Sequence, residues 1–193
     1  MCQREHEARL NGKQFKINHS WVIFSNLPEN LKKSVIVSED RSFFSHSGFN
    51  FKAMRLAHTL NQQQGRIEYG ASTITQQIAK NVFLWSGKSW PRKILEAYFT
   101  VLIEFFWDKN RILEVYLNIA EFGNGIFGSN AAAKYYFGLP INKLNDEQIS
   151  LIIAVLPSPI RNSPRNPSKT IIQKAKTIRW RVRTYKSVNG LKD

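Results

Sequence analysis

The longest apolar stretch of this chain, residues 97–107, is short and contains two polar breaks. A helix that spans a bilayer needs about 20 consecutive apolar residues, whereas this stretch is interrupted by Thr100 and Glu104. The pattern therefore predicts a buried helix in the core of a folded domain. The sequence shows neither a membrane-spanning segment nor a signal peptide.

Helical patterns follow one another along the chain, and alternating strand patterns are few. Capping residues, prolines and glycines set the predicted boundaries. The predicted helices cover residues 31–38, 49–63, 72–82 with Ser72 as N-cap, 89–107 with Pro91 in the first turn, 110–119, 129–137, 146–156 and 168–188. The polar, glycine-bounded segment 62–70 is predicted to be a mobile loop. The fold class is therefore predicted to be mainly α.

Composition limits the possible partners. The 193 residues fit one domain with room for two lobes, and 42% hydrophobic residues exclude a disordered chain. The net charge of +14 indicates an anionic partner: nucleic acid, an acidic membrane surface or a phosphorylated substrate. The single cysteine, Cys2, excludes an internal disulfide framework.

Segment 39–48 combines two adjacent carboxylates, Glu39 and Asp40, with aromatic residues. A carboxylate held against apolar rings such as Phe43 loses water, which suits it to proton transfer. His46 is interpreted as a base, a ligand or a structural residue. The structural interpretation is favoured, because neither Cys2 nor the other histidines (His6, His19 and His58) give a metal-binding spacing with it.

Segment 70–77 offers hydroxyl and amide groups at the start of a predicted helix. At 100° per residue, Ser72, Gln76 and Lys80 share one helical face, with Gln77 at its edge. Anions are favoured at such an N-terminus. The alternative is an ordinary capped helix with solvated glutamines.

A second helical group consists of Arg92, Lys93 and Glu96. Both cations flank the carboxylate at i+3 and i+4 spacing. They form either a surface ion pair that contributes little to stability or a phosphate-binding pair oriented by the acid.

Two further helices leave alternatives open. In segment 111–118, Glu114 and Asn118 lie opposite the apolar face, where they form a structural network or hold catalytic groups in place. The basic helix 168–188 has an apolar stripe that includes Ile171, Ala175 and Ile178. Such a helix lies on an anionic membrane or packs into a core with a solvated basic face.

Taken in order, these segments resemble the motifs of the peptidoglycan glycosyltransferases, glycosyltransferase family 51. The five matches are Glu39–Gly48, Gly70–Gln77, Arg92–Glu96, Ile112–Asn118 and Ala131–Gly138, within a region from about residue 35 to 159. The chain has no room for a transpeptidase domain after the fifth match. It therefore resembles the monofunctional biosynthetic subgroup, as does the stretch 118–123.

The resemblance implies a lysozyme-like glycosyltransferase fold with a large lobe and a small membrane-facing jaw. The jaw would begin after Glu39 and present apolar groups to lipid, namely Phe43, Phe44, Phe49, Phe51 and Met54. A single domain 1–193 is expected, with a lead-in 1–33 that follows a missing N-terminal membrane anchor, a catalytic core 34–160 and a basic C-terminal helix 161–193. The expected location is the outer face of the bacterial cytoplasmic membrane.

The resemblance also implies a reaction, the polymerisation of lipid II with inversion and release of polyprenyl pyrophosphate. Glu39 would be the general base, and Glu96 would orient the cations or bind Mg²⁺ or Mn²⁺. The implied substrate-binding residues are Asp40, Phe43, His46, Ser72, Thr73, Gln76, Gln77, Lys80, Arg92 and Lys93. Glu114 and Asn118 would give structural support.

The implied partners are lipid II, the growing glycan chain, the membrane surface and cell-wall synthesis or division proteins. One alternative is a lysozyme-like peptidoglycan hydrolase, whose general acid is also a glutamate in an apolar pocket. The predicted cations argue against it, because hydrolysis of a neutral glycan has no anionic leaving group. A nucleic-acid-binding module is the other alternative, but no such signature is present.

Overall fold

The computed structural model describes residues 16–65, 70–87 and 89–185, and this part of the chain is mainly α-helical, as predicted. Its eight α-helices are α1 (Glu29–Glu39), α2 (Phe51–Gln64), α3 (Ile74–Phe83), α4 (Trp90–Phe106), α5 (Lys109–Ile119), α6 (Ser129–Phe137), α7 (Asp146–Val155) and α8 (Lys169–Thr184). The strands are β1 (Asn18–His19), β2 (Glu121–Gly123) and β3 (Ile126–Phe127). None of the described helices is long and apolar enough to cross a membrane.

Capping chemistry accounts for most helix boundaries. The Ser89 side chain caps α4 by accepting a hydrogen bond from the backbone N–H of Arg92, and Pro91 lies in the first turn, as predicted. The predicted N-cap of α3 is wrong by one residue, because Thr73 and not Ser72 caps this helix. Parts of three predictions lie outside the described residues: the lead-in at 1–15, the loop at 66–69 and the C-terminal helix at 186–188.

The chain forms two compact units. Residues 16–38 and 113–185 belong to the first unit, and residues 39–112 form the second. The predicted catalytic core, 34–160, is therefore divided between them. The second unit begins at Glu39, the residue after which the jaw was expected to start.

The first unit contains a small sheet that the sequence patterns did not predict. The strand order is β1-β3-β2, with β1 parallel and β2 antiparallel to β3. The helices that follow the sheet in the sequence, α6, α7 and α8, form an apolar core. Its buried side chains include Ala131, Ile149, Ile152, Ile153, Ile171, Ala175 and Ile178.

Two polar residues of α5 join the predicted lead-in to this first unit. Glu114 accepts hydrogen bonds from the Trp21 indole at 3.1 Å and from the backbone N–H of Phe24 at 3.1 Å. Asn118 binds both backbone groups of Val22 at 2.8 Å. The structure therefore supports the structural interpretation of Glu114 and Asn118, and residues 18–24 are an integral part of this unit.

Helix α4 of the second unit buries Arg92, Glu96 and Thr100 together with one apolar residue, Ile103, and exposes most of its other apolar side chains. Thr100 is fully buried, and the Glu104 side chain is only 9% exposed. In contrast, Phe105 and Phe106 are 79% and 72% exposed. The prediction that 97–107 is a buried helix is therefore wrong for most of its apolar residues, whereas the polar breaks Thr100 and Glu104 lie on the inward side.

Candidate active site

Glu39 is the last residue of α1 and the first of the second unit. Its carboxylate is half-buried and accepts a hydrogen bond of 3.3 Å from the Gln77 side-chain amide. Gln77 lies in the first half of α3, so the position of that helix helps to determine the direction of the Glu39 carboxylate.

Asp40 has a different environment from its neighbour. It is buried, and its carboxylate lies 2.9 Å and 3.0 Å from Nε2 of His46. An ionised carboxylate only accepts hydrogen bonds, so Nε2 is the donor in this pair. Asp40 also accepts the backbone N–H of Ile74 at 3.2 Å, at the positive end of α3. These contacts give Asp40 and His46 a supporting position beside Glu39.

Thr73 and Gln76 form a capping box at the start of α3. The Thr73 hydroxyl accepts the Gln76 N–H at 3.2 Å, and the Gln76 side chain accepts the Thr73 N–H at 3.0 Å. The Thr73 hydroxyl also donates to the Gly48 carbonyl at 2.7 Å. The predicted single face of Ser72, Gln76 and Lys80 is therefore wrong, because Ser72 precedes the helix and Gln76 is buried in the cap.

Lys80, Arg92, Lys93 and Glu96 form a group on the packed helices α3 and α4. The Glu96 carboxylate accepts Arg92 Nη1 at 3.0 Å on one oxygen and Lys93 Nζ at 2.5 Å on the other. Both Arg92 and Glu96 are buried, which excludes the ordinary surface ion pair. Lys80 is exposed as a whole residue, but burial of its ammonium still lowers its pKa. Glu96 opposes this shift, and Arg92 and Lys93 reinforce it.

Comparison with known proteins identifies the family. The transglycosylase family model matches residues 6–183. The chain is 48% identical to the biosynthetic peptidoglycan transglycosylase of Pseudomonas entomophila over 179 residues, covering 93% of this chain and 75% of that protein. The proteins of the same name from Pseudomonas aeruginosa and Stutzerimonas stutzeri are 48% and 47% identical, with 77% and 75% of their lengths covered.

The chain belongs to the transglycosylase family.

The predicted metal site of this transglycosylase does not fit a resident cation. Among the described residues, no group of three or more His, Cys, Asp or Glu side chains is placed to hold a metal. Both oxygens of Glu96 already accept hydrogen bonds from cationic side chains. A metal-binding role for Glu96 would require it to give up at least one of these partners.

Phe43 does not occupy its predicted place. The side chain is fully buried, so its assignments to a membrane-facing surface and to substrate contact are both wrong. Its ring packs against Phe44 and lies 4.6 Å from Nζ of Lys109. Phe51 and Met54 of the same predicted group are exposed, at 69% and 40%.

Sequence reasoning missed a polar contact of this transglycosylase that links α3 to α4. Thr75 donates a hydrogen bond of 2.5 Å to Glu104, which also binds Lys109. The only signal in the sequence was the pair of polar breaks in the apolar stretch 97–107. An open depression of about 510 Å³ on α2, lined by Phe51, Lys52, Arg55, Leu56 and Thr59, contains none of the predicted site residues.

Proposed function

We propose that this chain is a peptidoglycan glycosyltransferase that polymerises lipid II into β-1,4-linked glycan strands. The observation that carries the proposal is the arrangement along α3 and α4. Gln77 holds the Glu39 carboxylate, and Lys80, one turn further along α3, lies in the electrostatic field of Arg92, Lys93 and Glu96. A base and a cationic group are thus built on the same pair of helices.

Glu39 would act as the general base. Its carboxylate takes the proton from the 4-hydroxyl of the acceptor sugar, and the hydroxyl oxygen forms a bond to C1 of the donor sugar. The bond between C1 and the pyrophosphate oxygen breaks, and the electron pair leaves on the pyrophosphate. Attack opposite the α-linked leaving group gives the β linkage, so the reaction inverts configuration.

The cationic group would stabilise the departing pyrophosphate. Three cations, Lys80, Arg92 and Lys93, share one carboxylate, so positive charge remains to meet an anion. Arg92 Nε is buried, and within the described residues it has no hydrogen-bond acceptor. A pyrophosphate oxygen would supply one, and Glu96 holds the guanidinium in place for it. Ser72, which is exposed, and Gln77 would contact the donor substrate.

The predicted divalent cation stays a proposal. Because the described residues do not form a protein-held site, we place Mg²⁺ or Mn²⁺ on the pyrophosphate itself, as part of the substrate. No step assigned to Glu39 or to the cationic side chains depends on it.

The outward face of α4 supports work at a membrane surface, where the polyprenyl tail of lipid II stays in the bilayer. Ile94, Tyr98, Val101 and Phe105 recur at helical spacing and are each more than half exposed. An apolar stripe of this kind marks an interaction surface. We place the enzyme at the outer face of the cytoplasmic membrane; contact with cell-wall synthesis or division proteins stays a prediction.

The decisive experiment is lipid II polymerisation in detergent by the Glu39→Gln variant. Loss of the base should lower turnover about 10²–10⁴-fold, with Glu147→Gln, an exposed residue of α7, as the matched control at normal turnover. Near-normal turnover of Glu39→Gln would remove the general-base assignment.

The lysozyme-like hydrolase is tested with the same preparation. Wild-type protein is incubated with purified glycan strands, and cleavage products are separated by size. Release of short fragments, without polymer formation from lipid II, would replace the proposed function with hydrolysis.

A further inference from the structure

Glu104 is the buried carboxylate of α4 that the proposed mechanism does not use. It lies two turns after Glu96 on the same helix, and its side chain is 9% exposed. A buried carboxylate is costly unless it is paired and hydrogen-bonded. Glu104 meets both conditions through Thr75 and Lys109. These two contacts identify the parts of the unit that Glu104 connects.

The first contact of Glu104 is with the opening turn of α3. The Thr75 hydroxyl donates to Oε1 of Glu104 at 2.5 Å, and Thr75 is fully buried. Thr75 lies between Ile74, whose N–H binds Asp40, and Gln77, whose amide binds Glu39. The turn that Glu104 fixes is therefore the turn that contacts the candidate base and its neighbour.

The second contact is with Lys109, the first residue of α5. Its ammonium donates to Oε1 and Oε2 of Glu104 at 2.9 and 2.8 Å. The same ammonium lies 4.6 Å from the centre of the Phe43 ring. Through Lys109, the carboxylate is thus linked to segment 39–48, in which Phe43 is the buried anchor.

The backbone of segment 39–48 also approaches α4 closely at this point. Gly48 has φ +83°, and a Cβ at this position would lie 2.6 Å from Cγ2 of Thr100 and 3.1 Å from Cγ of Glu104. The Gly48 carbonyl in turn accepts the hydroxyl of Thr73, the cap of α3. Segment 39–48, α3 and α4 therefore meet around Thr100 and Glu104.

We propose that Glu104 is a positioning residue of the active site, which sets the first turn of α3 against segment 39–48 and so directs the Glu39 carboxylate. This inference rests on the proposed function, in which Glu39 is the base. Glu104 acts through Thr75 and Lys109 and does not touch the substrate. A buried ion pair often adds little net stability, and its better-attested contribution is to specify one geometry.

The test measures kcat and KM for lipid II together with the thermal midpoint of unfolding. Glu104→Gln removes the charge, and Thr75→Val removes the hydroxyl that binds it. If both position the base, each should lower kcat about 10- to 100-fold with KM unchanged, because a small misplacement is felt mainly in the transition state. The double variant should lose little more than either single variant, since both act through one contact.

Three further variants separate positioning from stability. Thr75→Ser keeps the hydroxyl and should restore most of kcat. Thr59→Val removes a hydroxyl that donates to the Arg55 carbonyl of its own helix, α2, and should leave kcat unchanged. Glu104→Leu combined with Lys109→Met replaces the ion pair by apolar side chains, and should retain the thermal midpoint while still losing kcat.

The outcomes are distinct from those for the proposed function. A wild-type protein that does not polymerise lipid II removes the proposed function, and an active Glu39→Gln variant removes the general-base assignment, whatever Glu104 does. If the wild type is active and Glu39→Gln is not, unchanged kcat in the Glu104 and Thr75 variants overturns the inference. The inference is likewise overturned by a loss of kcat that only follows the unfolded fraction, or by additive losses in the double variant.

Discussion

Helices α4 and α8 are both amphipathic, but they turn opposite faces inward. Helix α8, in the first unit, buries Ile171, Ala175 and Ile178 and leaves most of its basic residues in solvent. Helix α4, in the second unit, buries three polar residues, Arg92, Glu96 and Thr100, with Ile103 as its one buried apolar residue, and exposes Ile94, Tyr98, Val101 and Phe105. The first arrangement is what the hydrophobic effect gives a helix in water. The second requires another source of stability for each buried polar group.

That source is a set of hydrogen bonds along the inner face of α4. Glu96 binds Arg92 and Lys93, the Thr100 hydroxyl donates to the Glu96 carbonyl at 2.6 Å, and Glu104 binds Thr75 and Lys109. A buried hydrogen-bonded network of this kind holds one geometry but is sensitive to the loss of any member. Helix α8 is thus built mainly for packing, and helix α4 for the placement of charge.

Glu96→Gln should have the largest effect on this comparison. The change keeps the shape but removes the counter-charge of a buried guanidinium, so the free energy of unfolding should fall by about 3 kcal/mol. Turnover of lipid II should fall about 100-fold, because Arg92 and Lys93 lose their orientation. Denaturant titration and a polymerisation assay measure the two effects.

The matched change in the other unit is Ser150→Ala. It removes the acceptor of the 3.0 Å hydrogen bond from Arg179 of α8. We expect a loss of about 1 kcal/mol in the free energy of unfolding and normal turnover. Equal effects of the two substitutions on turnover would contradict a functional difference between the units.

Substitution of one isoleucine on α8 and one on α4 tests which face of each helix is packed inside the protein. Ile178→Ala empties a buried site on α8 and should lower the free energy of unfolding by about 2–5 kcal/mol. Ile94→Ala, at a position 68% exposed on α4, should change it by less than about 0.5 kcal/mol. A large loss for Ile94→Ala would mean that the outer face of α4 is covered within the folded protein.

Substitution of the outer face of α4 tests the proposed membrane contact. Val101→Ser combined with Phe105→Ser should weaken binding to anionic phospholipid vesicles about 10-fold or more, because each apolar side chain contributes on the order of 1–2 kcal/mol when it enters lipid. The control is Trp180→Ser, which changes an exposed aromatic residue of α8. Equal losses from the two sites in a vesicle sedimentation assay would show that the α4 stripe has no special role.

Sequence patterns predicted the helices well but could not predict which face lies inward. Helix α6 has the predicted bounds, and Ser89 with Pro91 predicted the start of α4, because caps are local chemistry. The polar breaks Thr100 and Glu104 looked like defects in a buried helix. Their partners, such as Thr75, are distant in sequence, and no periodicity indicates them.

The small sheet and the α3 cap were missed for different physical reasons. Strands β1 and β3 have two residues each, which is too short for an alternating pattern to show. Ser72 and Thr73 are both good caps by type. Thr73, the residue that caps α3, also donates a hydrogen bond to the Gly48 carbonyl. That bond depends on the tertiary fold and has no local sequence signal. Helical spacing predicted the contacts of Glu96 with Arg92 and Lys93. It could not predict the contact of Glu39 with Gln77, which is distant in sequence.

The smallest predicted effects concern a crowded cation, Lys80, compared with a solvated one, Lys176 of α8. Burial lowers the pKa of Lys80, with help from Arg92 and Lys93 and against Glu96. The lysine therefore loses its charge at a lower pH than it would in the unfolded chain. If this cation stabilises the pyrophosphate, turnover should decline as pH rises through that lowered pKa, and Lys80→Arg should extend activity to higher pH.

The same shift has a consequence for stability with the opposite sign. Because the folded state binds this proton less tightly than the unfolded state, the charged Lys80 opposes folding at neutral pH, and this penalty disappears as pH rises to the unfolded pKa. Lys80→Met should therefore raise the thermal midpoint slightly at pH 7 while it lowers turnover, whereas Lys176→Met should change neither. The thermal midpoints are measured by calorimetry. A lower midpoint for Lys80→Met would contradict this prediction, because it would show that the charged Lys80 stabilises the folded protein.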